Sequence, residues 1–299
     1  MQISIPVPPT FNFKRTALSH GWRELLPFES DEAGSSVTRV LALEGDGSGP
    51  VTVHITSHDG ALSVNTARRK LGKRDTAKIT RDVRHMFRLD DEMSVFYETV
   101  AGEPNFSWIV GAGAGRLLRS PSVYEDLVKT ICTTNCSWAL TTKMVEGLVN
   151  NLGKPTPEDG RRAFPTPEAM AAEPESFYRD IVRAGYRANY FRELAERVAS
   201  GELDVESWMT SELSTDDLKR EMKRVKGVGE YAADNLLKLL GRYDCLALDS
   251  WVRATFARLH NKGRAADDRK IARHYARFQE WRGLALWCDM TRDWIKDEG

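Results

Sequence analysis

The chain has 299 residues, 41% of them hydrophobic, and its 43 basic side chains balance 43 acidic ones for a formal net charge of zero. That composition is too apolar for a disordered chain and gives no general attraction to nucleic acid, so any nucleic-acid face must come from local segregation of charge. No run approaches the roughly 18 apolar residues of a membrane helix. The start MQISIPVPPTFNF lacks a basic region followed by an apolar stretch, so a folded cytoplasmic protein with no membrane partner is expected.

From about residue 36 to 66 the segments SVTRVLAL, VTVHIT and ALSVNT are β-branched and alternating, separated by GDGSG and HDG, which predicts a short antiparallel sheet. After RRKLGKR the period becomes helical in AKITRDVRHMF and in DDEMSVFYETV, with Asp90 or Asp91 as the expected N-cap, before GAGAG at 111–115 breaks the chain. From Pro121 onward the pattern is helical almost throughout, from SVYEDLVKTICTT to a Trp-rich terminal helix, with no fixed-period repeat. The architecture expected is mainly α with an α+β N-terminal layer. Residues 1–118 form a small antiparallel-sheet domain and residues 119–299 an α-helical region, with a helical hairpin at 218–241.

Cys132, Cys136, Cys245 and Cys288 contain no C-x-x-C pair and read as reduced, mostly buried thiols. Cys132 and Cys136 share a helix face, but a tetrahedral metal site needs two more ligands. Two basic stretches stand out: Arg68, Arg69 and Lys70 with Lys73 and Arg74, and Lys219, Arg220, Lys223, Arg224 and Lys226. Alone, each reads as a solvated face.

The most informative stretch is VKGVGEYAADNLLKLLGRYDCLALDSWVR, residues 225–253. A short amphipathic helix, TDDLKREMKRV, runs into a turn with Gly227 and Gly229, and a second helix starts near Glu230. Backbone amides exposed in such a turn suit a phosphate oxygen, although the same G-V-G also makes an ordinary turn between helices. The apolar LAL then leads to Asp249 at the start of SWVRATFARL. A carboxylate placed there is either a simple N-cap or a partly desolvated acid facing a cleft.

This arrangement resembles the helix-hairpin-helix (HhH-GPD) superfamily of DNA glycosylases, in which a G-h-G hairpin is followed by a catalytic Asp; here Asp249 stands 18 residues after Tyr231. The resemblance implies a monomer acting on double-stranded DNA that contains a damaged base. It implies that Gly227, Val228 and Gly229, with Lys226 beside them, hold a DNA phosphate, with a hydrated monovalent cation on the hairpin carbonyls. Asp249 becomes the catalytic carboxylate. Residues 124–149 and AGYRANYFRELAERV are similar to helices of the 8-oxoguanine branch. By that alignment Asn135 fills the space left by the flipped base, while Tyr186 and Arg187 wedge into the stack and touch the orphaned partner. Extruding a base leaves a gap of this kind to fill. WRGLALWCDMTRDW resembles the last helix of these enzymes, which places Trp287 against the extruded base. His20 and Gly21 in LSHGW align with the N-terminal loop that reaches the pocket.

The pattern departs from the family's lyases at one position. They carry, after G-x-G-x, a lysine that forms a Schiff base with the sugar; here it is Tyr231, and a phenol forms no imine. Lys226 precedes the hairpin and Lys238 lies two turns along, so neither matches. The resemblance therefore implies a monofunctional glycosylase in which Asp249 stabilises oxocarbenium character and water attacks. An alkylated purine is the first expected substrate, held by Tyr231 and Trp287. The iron-sulfur cluster of one branch is not expected, since only Cys288 lies near the chain end, and no other cofactor or side-chain metal ligand is expected. The arginine that demands an opposite cytosine aligns with Leu140. Alternatives are an 8-oxoguanine or mismatch uracil/thymine glycosylase of the same fold, and a non-catalytic protein that binds distorted DNA, which needs the hairpin but not Asp249.

Overall fold

The computed structural model describes residues 1–43 and 49–295. Residues 45–48 of the GDGSG separator lie outside the described residues, as does the end of the chain from 296. The expected strands form β3 (Val37–Leu41), β4 (Val51–His58) and β5 (Ala61–Asn65), and two short strands not foreseen, β1 (Gln2–Pro6) and β2 (Phe28–Ser30), complete a five-stranded sheet of order β1-β5-β4-β3-β2. Every pairing is antiparallel.

Helices α1 (Phe13–Ala17), α2 (Lys73–Met86), α3 (Ser94–Ala101) and α4 (Trp108–Gly111) precede a mostly helical remainder. That remainder comprises α5 (Val123–Thr133), α6 (Trp138–Leu152), α7 (Pro167–Ala171), α8 (Ala188–Ala199), α9 (Thr215–Met222), α10 (Glu230–Leu240), α11 (Ser250–His260), α12 (Asp268–Tyr275) and α13 (Arg282–Thr291). One expected cap is different. α3 starts after Met93, and its Ser94 N–H is taken by the Glu92 carboxylate at 2.8 Å. Asp90 and Asp91 instead pair with Arg84 and Arg88, because two guanidiniums already stand within reach on the preceding turn. No helix among the described residues is long and apolar enough to cross a membrane.

The chain forms two compact units, each discontinuous in sequence. The first holds Met1–Asp91 and Arg116–Met209, and the second holds Glu92–Gly115 and the chain from Thr210 onward. In the first unit the register sets Val37 opposite Ile55 and Ile55 opposite Val64, all three fully buried, so this row lines the core face. Arg39, two residues after Val37 and opposite Val53, shares that face and is 1% exposed.

A buried guanidinium needs a partner, and α5 supplies it. Arg39 Nη1 and Nη2 donate to Glu125 Oε1 and Oε2 at 2.9 and 2.5 Å, and Lys129 Nζ, one turn along α5, lies 2.6 Å from Oε1. The Phe28 ring covers both cations at 4.3 and 5.0 Å. Burial pushes the Glu125 carboxyl up, but Arg39 and Lys129 outweigh it and hold it below its usual range.

Removing one member of such a cluster strands two buried cations. Glu125→Gln is expected to lower stability by about 3–5 kcal/mol, read from the urea midpoint at unchanged slope. Arg161→Ala, which breaks the exposed pair with Glu29 at 3.1 Å, should cost less than about 1 kcal/mol.

Candidate active site

The hairpin belongs to the second unit. The Ser214 hydroxyl starts α9 by accepting from the Asp217 N–H at 3.2 Å. After α9 the Val225 N–H donates to the Met222 carbonyl and the Val228 N–H to the Val225 carbonyl, forming a tight turn. Gly227 takes φ +90°, which a side chain adopts only with strain, and Val228 tucks inward. Gly229 caps α10 with no side chain to engage the first amides, and a Cβ there would meet nothing within 4 Å. The first amides of α10 have no carbonyl one turn earlier in the helix to engage and can serve an external acceptor.

The basic run around the hairpin is largely paired rather than open. Glu230 bridges Lys219, at 2.6 Å, and Lys223; Lys219 also holds Asp234 at 2.6 Å, and Arg220 pairs with Asp217. Acidic residues one helical turn away or across the hairpin neutralise these cations. Lys226 stays exposed at the turn itself.

Asp249 is the N-cap of α11. Its Oδ1 accepts the Val252 N–H at 2.6 Å, and among the described residues no hydrogen bond reaches Oδ2. The carboxylate is half-buried, so the cap fixes its orientation while one oxygen stays available.

Tyr231, Asn235 and Lys238 form one stripe along α10, spaced for a common face. Asn235 links them: its Nδ2 donates to the Tyr231 carbonyl at 2.9 Å and its Oδ1 accepts from Lys238 Nζ at 3.2 Å. Tyr231 is half-buried, whereas Lys238 is only 4% exposed, with its ammonium 3.4 Å from the centre of the Trp287 ring. Burial pushes the Lys238 pKa down to about 7, although the charges of Asp249 and Cys245 pull the other way. Trp287 belongs to a cluster with Trp251 and Trp294, with ring centres 5.5–6.0 Å apart. Trp251 and Trp294 are 38% and 44% exposed. Sequence reasoning set Lys238 aside and missed Asn235 and these two tryptophans. The seven-residue step from Tyr231 to Lys238 and the D-S-W after the acid were the signals available.

The residues aligned with a wedge lie in the first unit. Asn135, in the turn between α5 and α6, has φ +47° and donates through Nδ2 to the Tyr186 hydroxyl at 3.3 Å. Tyr186 is 54% exposed and meets Tyr190 edge-on at 5.9 Å. Arg187 is buried; it donates to Thr134 Oγ1 at 3.1 Å and lies 4.5 Å from the Tyr186 ring centre, bracing the tyrosine from behind. Leu140 sits at the start of α6, half-buried. His20 packs edge-on against Trp22 at 4.3 Å, and Gly21 leaves room for the Trp138 ring, which a Cβ would meet at 2.6 Å.

A capped carboxylate after a glycine hairpin, on a helical body with an N-terminal sheet, defines a base-excision class of protein. Residues 128–280 match the HhH-GPD superfamily base excision DNA repair protein family, and the chain belongs to that superfamily of DNA glycosylases. The probable N-glycosylase/DNA lyase of Methanothermobacter thermautotrophicus is 24% identical over 293 residues, spanning 89% of this chain and 90% of that protein. Two solved structures share the fold. MBOgg1, solved in complex with a low-affinity DNA ligand, has a TM-score of 0.75 at 23% identity, covering 98% of this chain and 96% of that one. The 3-methyladenine DNA glycosylase from Archaeoglobus fulgidus has a TM-score of 0.74 at 20% identity, covering 98% of each chain.

The depressed Lys238 pKa carries a pH signature. An unfolded lysine titrates near 10.4, so between about pH 7 and that value the unfolded chain binds the extra proton and stability rises with pH. Wild-type protein should gain stability relative to Lys238→Met as the pH is raised from about 7 to 9 in urea unfolding; parallel profiles would show an ammonium that is not desolvated.

Proposed function

We propose that the chain is a monofunctional DNA glycosylase of base excision repair, which flips a damaged purine out of duplex DNA and hydrolyses its N-glycosidic bond with Asp249. The observation that carries this is the Asp249 carboxylate, fixed through Oδ1 by the Val252 amide with Oδ2 available, on a chain whose lysine position holds Tyr231. As the base departs, positive charge grows on the sugar. An ionised, oriented carboxylate stabilises it without having to reorganise, and water then attacks.

The other parts take supporting roles. The Gly227–Gly229 turn holds a phosphate through amides at the start of α10, while the Val228 amide closes the turn itself and Lys226 is exposed beside them. The turn offers backbone carbonyls, the donor type that suits a hydrated monovalent cation bridging to that phosphate. Tyr186 and Asn135 fill the gap in the stack, and Arg187 positions Tyr186 rather than touching the partner base itself. Tyr231 and Trp287 line the base pocket. Leu140 replaces the arginine that would demand an opposite cytosine, so broad opposite-base tolerance is expected.

An alkylated purine remains the first substrate, because an aromatic cluster attracts an electron-poor base. One observation favours a second reading, a neutral base such as 8-oxoguanine or a mismatched pyrimidine: Lys238, when charged, occupies a face of Trp287 and repels a cationic base.

The deciding assay incubates the protein with labelled duplexes carrying hypoxanthine, a methylated adenine, 8-oxoguanine, uracil or a G·T mismatch, then splits each with and without alkali. Breaks confined to alkali-treated samples are expected, and the substrate that yields them names the base. Alkali-independent breaks would overturn the hydrolytic route and point to Lys238 as an amine. Tight binding with no breaks on any substrate would leave a sensor of distorted DNA. Asp249→Asn keeps a side chain that caps well. Its turnover should fall by roughly 100-fold or more with folding and DNA binding intact. Tyr186→Ala, at an exposed position, should change stability by less than about 0.5 kcal/mol but slow excision roughly tenfold.

A further inference from the structure

The second unit carries another constellation of titratable side chains. His260 at the end of α11, His274 in α12 and Asp289 in α13 bring their ligand atoms within 4.8 Å of one another. His260 Nε2 lies 2.7 Å from Asp289 Oδ2, and the Tyr275 hydroxyl donates to the same oxygen at 2.5 Å. The two imidazoles face each other at 4.5 Å, packed against Phe256 at 5.2 and 5.3 Å. His274 Nε2 is buried, and among the described residues no hydrogen bond reaches it.

We propose that this cluster binds a divalent transition-metal ion of the zinc type, through one imidazole nitrogen each of His260 and His274 and a carboxylate oxygen of Asp289, with water in the remaining position. Two imidazoles and a carboxylate are a zinc donor set, and they converge here from three helices rather than from one flexible loop. An ion also gives the cluster's unsatisfied imidazole nitrogen a partner, which no side chain among the described residues does. The Tyr275 hydroxyl orients the carboxylate from behind. Both histidines are only half-buried, which leaves the ion an entry path.

The role is structural. The ion ties the last residue of α11, whose N-cap is Asp249, to α13, which carries Trp287. It takes no part in breaking the glycosidic bond, and the proposal stands whichever base is excised.

The test uses full-length protein stripped with a chelator, then titrated with zinc by calorimetry and checked by elemental analysis. Thiols also bind zinc, so the titration is repeated on Cys136→Ser/Cys245→Ser, which removes the two half-buried cysteines. One equivalent should bind in both proteins and raise the thermal midpoint. His274→Gln and Asp289→Asn should each weaken binding at least tenfold and abolish the thermal shift. If either fails to fold, His260→Gln, at a half-buried helix end, gives the same readout. The proposal is overturned by the absence of saturable binding at micromolar zinc, by binding that the cysteine changes remove, or by binding that the histidine and Asp289 variants retain.

Discussion

The hydrogen bond from the Val252 amide to Asp249 Oδ1 joins the fold to the proposed chemistry, because one short contact both starts α11 and aims the carboxylate. A capping aspartate lies at the positive end of the helix dipole, where negative charge is favoured, and the proposed hydrolysis draws on that placement. From that start the helix carries Trp251 into the aromatic cluster and places His260 at its far end, against α12 and α13. α10 runs from the glycine turn to Lys238, whose charge couples to Asp249, so hairpin and acid are linked electrostatically within a single unit.

Much of this was legible in the sequence. The helical period from Pro121, the alternating strands and the G-V-G turn followed by Asp249 are local patterns, and local patterns survive in the linear text. What stayed hidden depended on tertiary partners. β2, at three residues, is too short to show a period, while β1 is as long as β3 and β5 and its alternation in QISIP went unread; they pair with the edges of β3 and β5. Arg39 reads as a surface residue of an alternating strand until α5 presents Glu125. Asp90 and Asp91 look like caps until Arg84 and Arg88 claim them. The basic run at the hairpin looks cationic until Glu230 folds back across the turn.

Lys238 illustrates the same limit at the candidate site. Nothing in LLKLL distinguishes a buried lysine from a solvated one. Its altered acidity arises from lost water and from the Trp287 ring, and both belong to the folded state. Charge around the hairpin is likewise a matter of local pairing, with Lys219, Arg220 and Lys223 each held by a neighbouring carboxylate.

The Arg39–Glu125 pair spans 86 residues of chain, and the chain passes through Glu92–Gly115 of the other unit on the way. On a ribosome, the strand bearing Arg39 emerges long before the helix that neutralises it. The nascent sheet therefore cannot bury that guanidinium and must wait, open on its core face, until α5 has been made. Its closure is timed by translation of a later segment, which makes the interval between those two residues the period in which a holdase chaperone has an apolar sheet face to grip.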